Sequence, residues 1–155
     1  MAAVVYLASD ASALESIRPL WTQLNDFHLA RSRHFRHHYE TMTFYDRKLY
    51  FQSLAKKGSL RVDIARDPTR GRNVGYCVTS LSLEKQGELE SIFVEPAYRL
   101  QHIGSALMAR ALTWLEDSGA VRIRVSVGQG NEAAWDFYRK FGFYPRLTVL
   151  EIPHS

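Results

Sequence analysis

Residues 94–108, "VEPAYRLQHIGSALM", decide how the rest of the chain is read. The stretch leaves an apolar, strand-like run, passes Pro96 and Tyr98, and enters "IGSALM", whose small and apolar residues open a helix. The first turn of a helix carries unbonded backbone N–H groups and about half a positive charge, so a phosphate held there needs no side-chain ligand. Gly104, Ser105 and Ala106 keep that turn open, and Arg99 adds a fixed positive charge. His102 is the residue out of place. If its imidazole points away, its N–H still serves, and its Cβ costs little as long as φ is negative.

Working outward, "ELESIFVEP" before the loop reads as a strand, and so does the alternating "AVRIRVSV" (120–127) after it. Between them Ile103, Ala106, Leu107, Ala111, Trp114 and Leu115 share one helix face, and Gly119 closes the helix. A strand, a helix and a second strand in one sheet require a parallel pair, here 88–95 with 120–127. Upstream, "SLRVDIARD" and "NVGYCVTSLSL" are joined by the turn "DPTRGR" and read as antiparallel neighbours.

The N-terminal run "AVVYLAS" (3–9) reads as a strand. Asp10 caps the helical stretch after it, which Pro19 kinks or restarts. Thr43 caps a further helix that stops at Gly58. A last helix, 131–141, is capped by Asn131 and ended by Gly142, and "FYPRLTVLEI" (143–152) completes the sheet. The expected fold is α/β (α+β): one domain, 1–155, with a mixed, mostly antiparallel sheet of about six to seven strands and helices on both faces. Ligands of open sheets with parallel pairs sit beyond the carboxyl ends of the strands, where the opening stretch lies.

The composition is that of an ordinary globular chain. Among 155 residues, 46% are hydrophobic and 23% charged, and the net charge of +4 is spread along the sequence rather than clustered. A basic nucleic-acid-binding domain would show a clustered basic face or an aromatic RNA-binding motif, and neither is present. The single Cys77 excludes an internal disulfide and points to a reducing compartment, and no window reaches membrane-spanning length. A cytoplasmic protein without membrane or nucleic-acid partners is expected.

The opening stretch resembles the acetyl-CoA loop of the GNAT superfamily of N-acetyltransferases, R/Q-x-x-G-x-G/A. Here it reads Arg99-Leu100-Gln101-His102-Ile103-Gly104, preceded by Val94, Pro96 and Tyr98 of a V-x-P-x-Y run. A second signature, N-x-x-A-x-x-F-Y-x-x-x-G-F, is met by Asn131, Ala134, Phe137, Tyr138, Gly142 and Phe143. The departure is His102, which stands where the family usually has its first glycine. The resemblance implies a GNAT fold whose parallel strands splay apart. It implies that the N–H groups of Leu100, Gln101, His102, Ile103, Gly104 and Ser105 hold the CoA pyrophosphate beside Arg99. Pantetheine would run along Ile92, Phe93 and Val94, and Asn131 would contact it from the neighbouring helix.

Acetyl transfer from a thioester to a primary amine needs a neutral amine, yet aliphatic amines have a pKa of about 10.4, so a base is required. Period-two geometry puts Glu88, Glu90, Ile92 and Val94 on one strand face, and a carboxylate on a central strand needs a reason. By resemblance Glu90 is the base, with Glu88 as the alternative. Either glutamate has a structural reading as well, an ion pair with Arg122 or Arg124 across the sheet. By the same resemblance Tyr138 is the acid. An unperturbed tyrosine is uphill of a thiol by about 2 kcal/mol, so a hydrogen bond to the leaving thiolate is the better picture.

Trp21, Asn25, His28 and Tyr39, with Glu88, are candidates for the acceptor pocket. In the His-rich "RSRHFRHHYE" His34 and His38 would share a helix face, but three arginines oppose a cation and no carboxylate or cysteine completes a metal set. The motifs look most like the spermidine and diamine acetyltransferase branch, but His28 stands where that branch has an acid. The acceptor is therefore a small-molecule or peptide amine of open identity, and a homodimer is compatible with the family. A non-catalytic acyl-CoA-binding module is the alternative function.

Overall fold

The structure, a computed structural model, describes residues 3–154. Strand β1 (Val5–Ser9) leads into a 3-10 turn, Ala11–Ile17, whose start is capped by Asp10 accepting from the Ser12 N–H. Pro19 falls in the first turn of α1 (Arg18–Arg31), where its missing N–H costs nothing, so it restarts the helix rather than kinking it. A short α2 (Arg36–Thr41) follows; His34 lies before it, so His34 and His38 do not share a helix. Helix α3 (Phe44–Lys57) is capped by the Thr43 hydroxyl on the Asp46 N–H and ends at Gly58.

Strands β2 (Gly58–Asp67) and β3 (Arg72–Ser82) form the expected antiparallel hairpin, and β4 (Gln86–Val94) continues it. A 3-10 turn, Pro96–Tyr98, leads to α4 (Ile103–Asp117), β5 (Arg122–Val125) and α5 (Ala134–Arg139). The sheet order is β1-β2-β3-β4-β5, antiparallel except for the parallel β4–β5 pair.

Apolar side chains fill both faces. On one side Leu14 and Ile17 of the first 3-10 turn, Leu20 and Trp21 of α1, and Phe44 and Phe51 of α3 pack onto Val62, Tyr76, Val78 and Phe93. On the other, Ile103, Leu107, Ala111 and Leu115 of α4 cover Val74, Cys77, Leu81 and Leu89. Each of the large side chains buried in these layers stabilises the fold by roughly 1.5–3 kcal/mol.

Three expectations are corrected. The sheet has five strands among the described residues, because residues 143–152 pair with none. Their alternating apolar pattern stays in water, with Leu147, Val149, Leu150 and Ile152 all exposed; strand propensity takes effect only where an edge and a covering layer are offered. The last helix is Ala134–Arg139, and Asn131 supplies a turn carbonyl to the Ala134 N–H instead of a side-chain cap.

The third correction concerns strand faces. In the β3–β4 ladder Val78 lies opposite Ser91 but Thr79 lies opposite Leu89, so Glu90 is an extra, bulged residue. The alternation therefore changes phase there. Glu88 and Glu90 face α3, whereas Ile92 and Val94 pack on the α4 side.

Candidate active site

The bulge sets the site. The parallel ladder joins Gln86–Leu89 to Arg122–Val125 and stops at the residue before Glu90. Beyond that point the two strands part, and Glu90, Ser91 and Ile92 from one strand face Ser126, Val127 and Gly128 from the other across a cavity of about 380 Å³. That volume lies at the lower end of what small-molecule pockets occupy.

Glu90 is held on three sides. Its Oε2 accepts from Ser80 Oγ at 2.6 Å and its Oε1 from Tyr50 Oη at 3.2 Å, while its backbone carbonyl, released from the ladder by the bulge, accepts from Arg47 Nη2 at 3.2 Å. Burial, and then repulsion from Glu88, push the Glu90 carboxyl above its ordinary range, against the opposing pull of the Ser80 hydrogen bond. Glu88 is differently placed. Its carboxylate is paired with Arg124 Nε at 2.8 Å, the cross-sheet ion pair that is its structural alternative to a role as base. A carboxyl lifted toward neutral pH and free of any ion pair suits a general base better than one locked to a guanidinium.

Tyr138 projects from α5 into the same cavity. Its ring sits edge-on against Phe137 and Phe143, with centroids 5.4 and 6.0 Å away. Among the described residues its hydroxyl has no hydrogen-bond partner, and burial pushes its pKa up to about 12. A protonated, unpartnered hydroxyl aimed into a cavity is a donor awaiting an acceptor.

The acceptor-side candidates converge on this cavity too: Trp21, Asn25, His28, Tyr39 and Glu88 all line it. Trp21 is mostly spent on the core, 5.5 Å from Phe44. Asn25 Nδ2 donates to the Tyr39 carbonyl at 2.9 Å, which fastens α2 to α1, and the His28 ring stacks on Tyr39 at 5.4 Å. Burial, followed by Arg31 and Arg47, holds the His28 pKa below its usual value. Across the mouth, the loop after β5 leans on α2: a Cβ added at Gly128 would meet Tyr39 Oη at 2.9 Å. Asn131 and Ile92 also line the cavity, whereas the Phe93 side chain belongs to the core and Val94 packs toward α4.

At the far end of β4 lies the loop of the opening stretch. Tyr98 donates its hydroxyl to buried Asp67, whose other oxygen accepts the N–H groups of Thr69 and Arg70, so the loop is fastened to the β2–β3 turn. Arg99 Nε donates to the Val94 carbonyl at 3.2 Å and its guanidinium lies 5.5 Å from the Phe93 ring centre. The next backbone donor in use is Ala106, bonded to the His102 carbonyl. Among the described residues the N–H groups of Leu100, Gln101, His102, Ile103, Gly104 and Ser105 donate to nothing.

The expected negative φ at His102 is overturned. His102 has φ 60° and Leu100 has φ 68°, the left-handed region that glycine occupies freely. The imidazole is exposed, and His102 caps α4 without a side-chain hydrogen bond. Gly104 has no positive φ, and a Cβ there would make only ordinary contacts, 3.5 Å from Phe137 and 3.8 Å from Val94. The fold tolerates alanine at 104. The bare backbone matters only to something that approaches from outside.

Three residues of this arrangement escaped the sequence. Arg47, Tyr50 and Ser80 contact Glu90, and Arg47 and Tyr50 stand one turn apart on α3. That spacing becomes informative only once α3 is known to cover the bulge. Among the described residues no three His, Cys, Asp or Glu side chains gather as a metal site would require.

Comparison with known proteins agrees with this geometry. An uncharacterized N-acetyltransferase of Mycobacterium tuberculosis is 36% identical over 73 residues, which is 47% of this chain and 47% of the relative. The matched stretch thus spans about half the length of that curated relative. The fold is shared by a putative acetyl transferase from Pyrococcus furiosus, with a TM-score of 0.72 and 24% identity over 97% of this chain and 100% of that one. It is also shared by an aminoglycoside N-acetyltransferase solved in complex with CoA, with a TM-score of 0.70 and 17% identity over 97% and 94%. The family model described as "Acetyltransferase (GNAT) family" matches residues 20–143, and the chain belongs to that family.

Proposed function

We propose that the protein transfers an acetyl group from acetyl-CoA directly to a primary amine. The observation that carries this reading is the pairing of Glu90 and Tyr138 on one cavity, opened where β4 and β5 part. Acetyl-CoA supplies the activated acetyl thioester. The six unbonded N–H groups of residues 100–105 hold its pyrophosphate, and Arg99 adds charge. The open edge of Ile92, Phe93 and Val94 guides the pantetheine, and Asn131 touches it from the loop before α5.

Glu90, ionised, takes a proton from the incoming ammonium, directly or through one water, so that the neutral amine attacks. A backbone N–H of the unpaired β4 edge meets the charge that develops on the thioester oxygen. Tyr138 donates a hydrogen bond to the departing sulfur. With its pKa near 12 against about 8.5 for a thiol, complete proton transfer from Tyr138 would be uphill by about 5 kcal/mol. Tyr138 therefore stabilises the thiolate without surrendering its proton, and the sulfur is protonated as CoA leaves.

Two measurements test the proposal. Acetyl-CoA at a hundred times its dissociation constant should stabilise the fold by about 2.7 kcal/mol, a rise of roughly 5–10 °C in Tm at this chain length. An amine panel should then give acceptor-dependent CoA release, and Tyr138→Phe should lower turnover roughly tenfold or more while the CoA dissociation constant stays put. A thermal shift without acceptor-dependent release would make the protein a non-catalytic acyl-CoA-binding module. The absence of any shift at millimolar acetyl-CoA would reject both.

A further inference from the structure

The acceptor cavity contains a cation that the acetyl transfer itself does not use. Arg47, on α3, lines it at half-burial. Its guanidinium lies 5.0 Å from the Tyr50 ring centre and 4.8 Å from that of Phe51, and one nitrogen donates to the Glu90 carbonyl. A guanidinium has five N–H donors, and this one uses a single donor among the described residues. Other arginines close to the sheet on this side have an anion: Arg124 has Glu88 and Arg18 has Glu15. Arg47 has no carboxylate within ion-pair distance among the described residues.

The carboxylates of the cavity do not supply one. Glu88 is committed to Arg124, and Glu90 is turned toward Ser80 and Tyr50. The remaining ionisable groups on the α1–α2 wall are His28, His38 and the Tyr39 phenol, none of them a carboxylate. One cation, Arg47, is therefore left without an ion-pair partner among the described residues, and it sits beside the base. Tyr50 fixes the two relative to each other, its hydroxyl on the Glu90 carboxyl and its ring under the Arg47 guanidinium. A molecule that presents an ammonium to Glu90 and a planar carboxylate to Arg47 satisfies both at short range.

We infer that the acceptor is a free amino acid, bound with its amino group at Glu90 and its carboxylate on Arg47. Apolar and aromatic walls from Trp21, Leu24, Met42 and Tyr39 receive its side chain. A polyamine or an aminoglycoside would bring more positive charge to an unpaired arginine, and a peptide N-terminus has no carboxylate beside its amine. This inference rests on the transferase proposal and narrows it.

The test uses purified full-length protein, acetyl-CoA, and acceptors matched in pairs: phenylalanine, leucine and methionine, each against its amide and its decarboxylated amine. The carboxylate-bearing member should be favoured roughly tenfold or more in kcat/KM, as expected for a charge-assisted hydrogen-bonded pair. Arg47→Gln should erase that preference: kcat/KM for the amino acid should fall roughly tenfold further than kcat/KM for its decarboxylated amine, chiefly through KM. Arg47→Lys should restore part of it.

Equal loss for both members of a pair in Arg47→Gln would mean that Arg47 only props the Glu90 bulge, and the assignment would fall. So would a wild-type preference for the decarboxylated amines or for polyamines, although that result would leave the transferase proposal standing. CoA binding without acceptor-dependent release for any amine would instead bring down the transferase proposal and this assignment together.

Discussion

Replacing His102 by glycine should stabilise the protein. An L-residue in the left-handed region costs roughly 1–2 kcal/mol, and His102 sits there at φ 60°. Its exposed imidazole makes no hydrogen bond whose loss would offset the gain. Glycine gives back about 0.4–1 kcal/mol through the greater freedom of the unfolded chain. The balance is a gain of about 0.5–1 kcal/mol, a rise in Tm of roughly 1–4 °C for a chain of this length. His102→Ala is the control, because alanine removes the imidazole and keeps the strained φ, so its Tm should stay near the wild-type value. Differential scanning calorimetry of the three proteins without ligand reads this difference, and titration with CoA reads the loop's function. Since the donors are backbone amides and the side chain faces water, CoA affinity should change by less than about threefold. If glycine proves no more stable than alanine at this position, φ at 102 is not strained, and relief of strain is not why the family places a glycine there.

Gly104→Ala should separate fold from function: the apo protein gains up to about 1 kcal/mol of helix propensity, while CoA affinity by calorimetric titration falls about tenfold or more as the Cβ intrudes on the phosphate. Glu90 makes a pH prediction whose sign is fixed by its raised pKa. Below about 4.5 its carboxyl is protonated folded and unfolded alike, and above the raised value it is ionised in both, with the burial penalty in force. Glu90→Gln should therefore raise Tm more at pH 8 than at pH 4, and should remove the acidic limb of the kcat/KM profile along with most of the rate. A flat difference in Tm across that range would show that the carboxyl is not perturbed. Asp63, fully buried, binds Arg61 at 2.8 Å and Arg110 of α4 at 3.1 Å. Asp63→Ala strands two partly exposed guanidiniums and should cost about 3 kcal/mol by urea denaturation. A loss under about 1 kcal/mol would mean that α4 is held by its apolar face alone.

What the sequence made legible follows the range of each signal. Local devices read correctly: Asp10 and Thr43 as caps, the "DPTRGR" turn, and the strand–helix–strand unit around residues 94–108, while Pro19, open between a kink and a restart, restarts the helix. The family resemblance singled out Tyr138 and Glu90, and both line one cavity although 48 positions separate them. Signals that depend on a partner failed. "FYPRLTVLEI" has the alternation of a strand, but pairing needs a free edge, which no local pattern reveals. The φ of His102 is set by how the 3-10 turn at Pro96–Tyr98 meets α4, so its sign was invisible in the letters. Nothing in the letters sets Arg47 apart from the other charges of its helix; its role depends on α3 covering the bulge.

The bulge is also the strongest internal argument that the site is functional and not incidental. If Glu90 is struck out of β4, the alternation on either side closes up without a fault: Glu88 toward α3, Leu89 toward α4, Ser91 toward α3, Ile92 toward α4, Phe93 toward α3. Every core side chain keeps its face. The parallel ladder with β5, which now ends at Leu89 and Val125, would meet no interruption there. A regular strand would thus pack as well, leave fewer backbone groups unpaired, and spare the cost of burying a carboxyl. Glu90 contributes nothing to the core that its absence would remove. Its presence ends the ladder and so opens the cleft, aims a carboxyl of raised pKa into it, and frees the carbonyl that positions Arg47. Packing alone offers no reason for such an insertion, whereas the proposed acyl transfer uses the first two of its effects and the proposed recognition of a carboxylate uses the third.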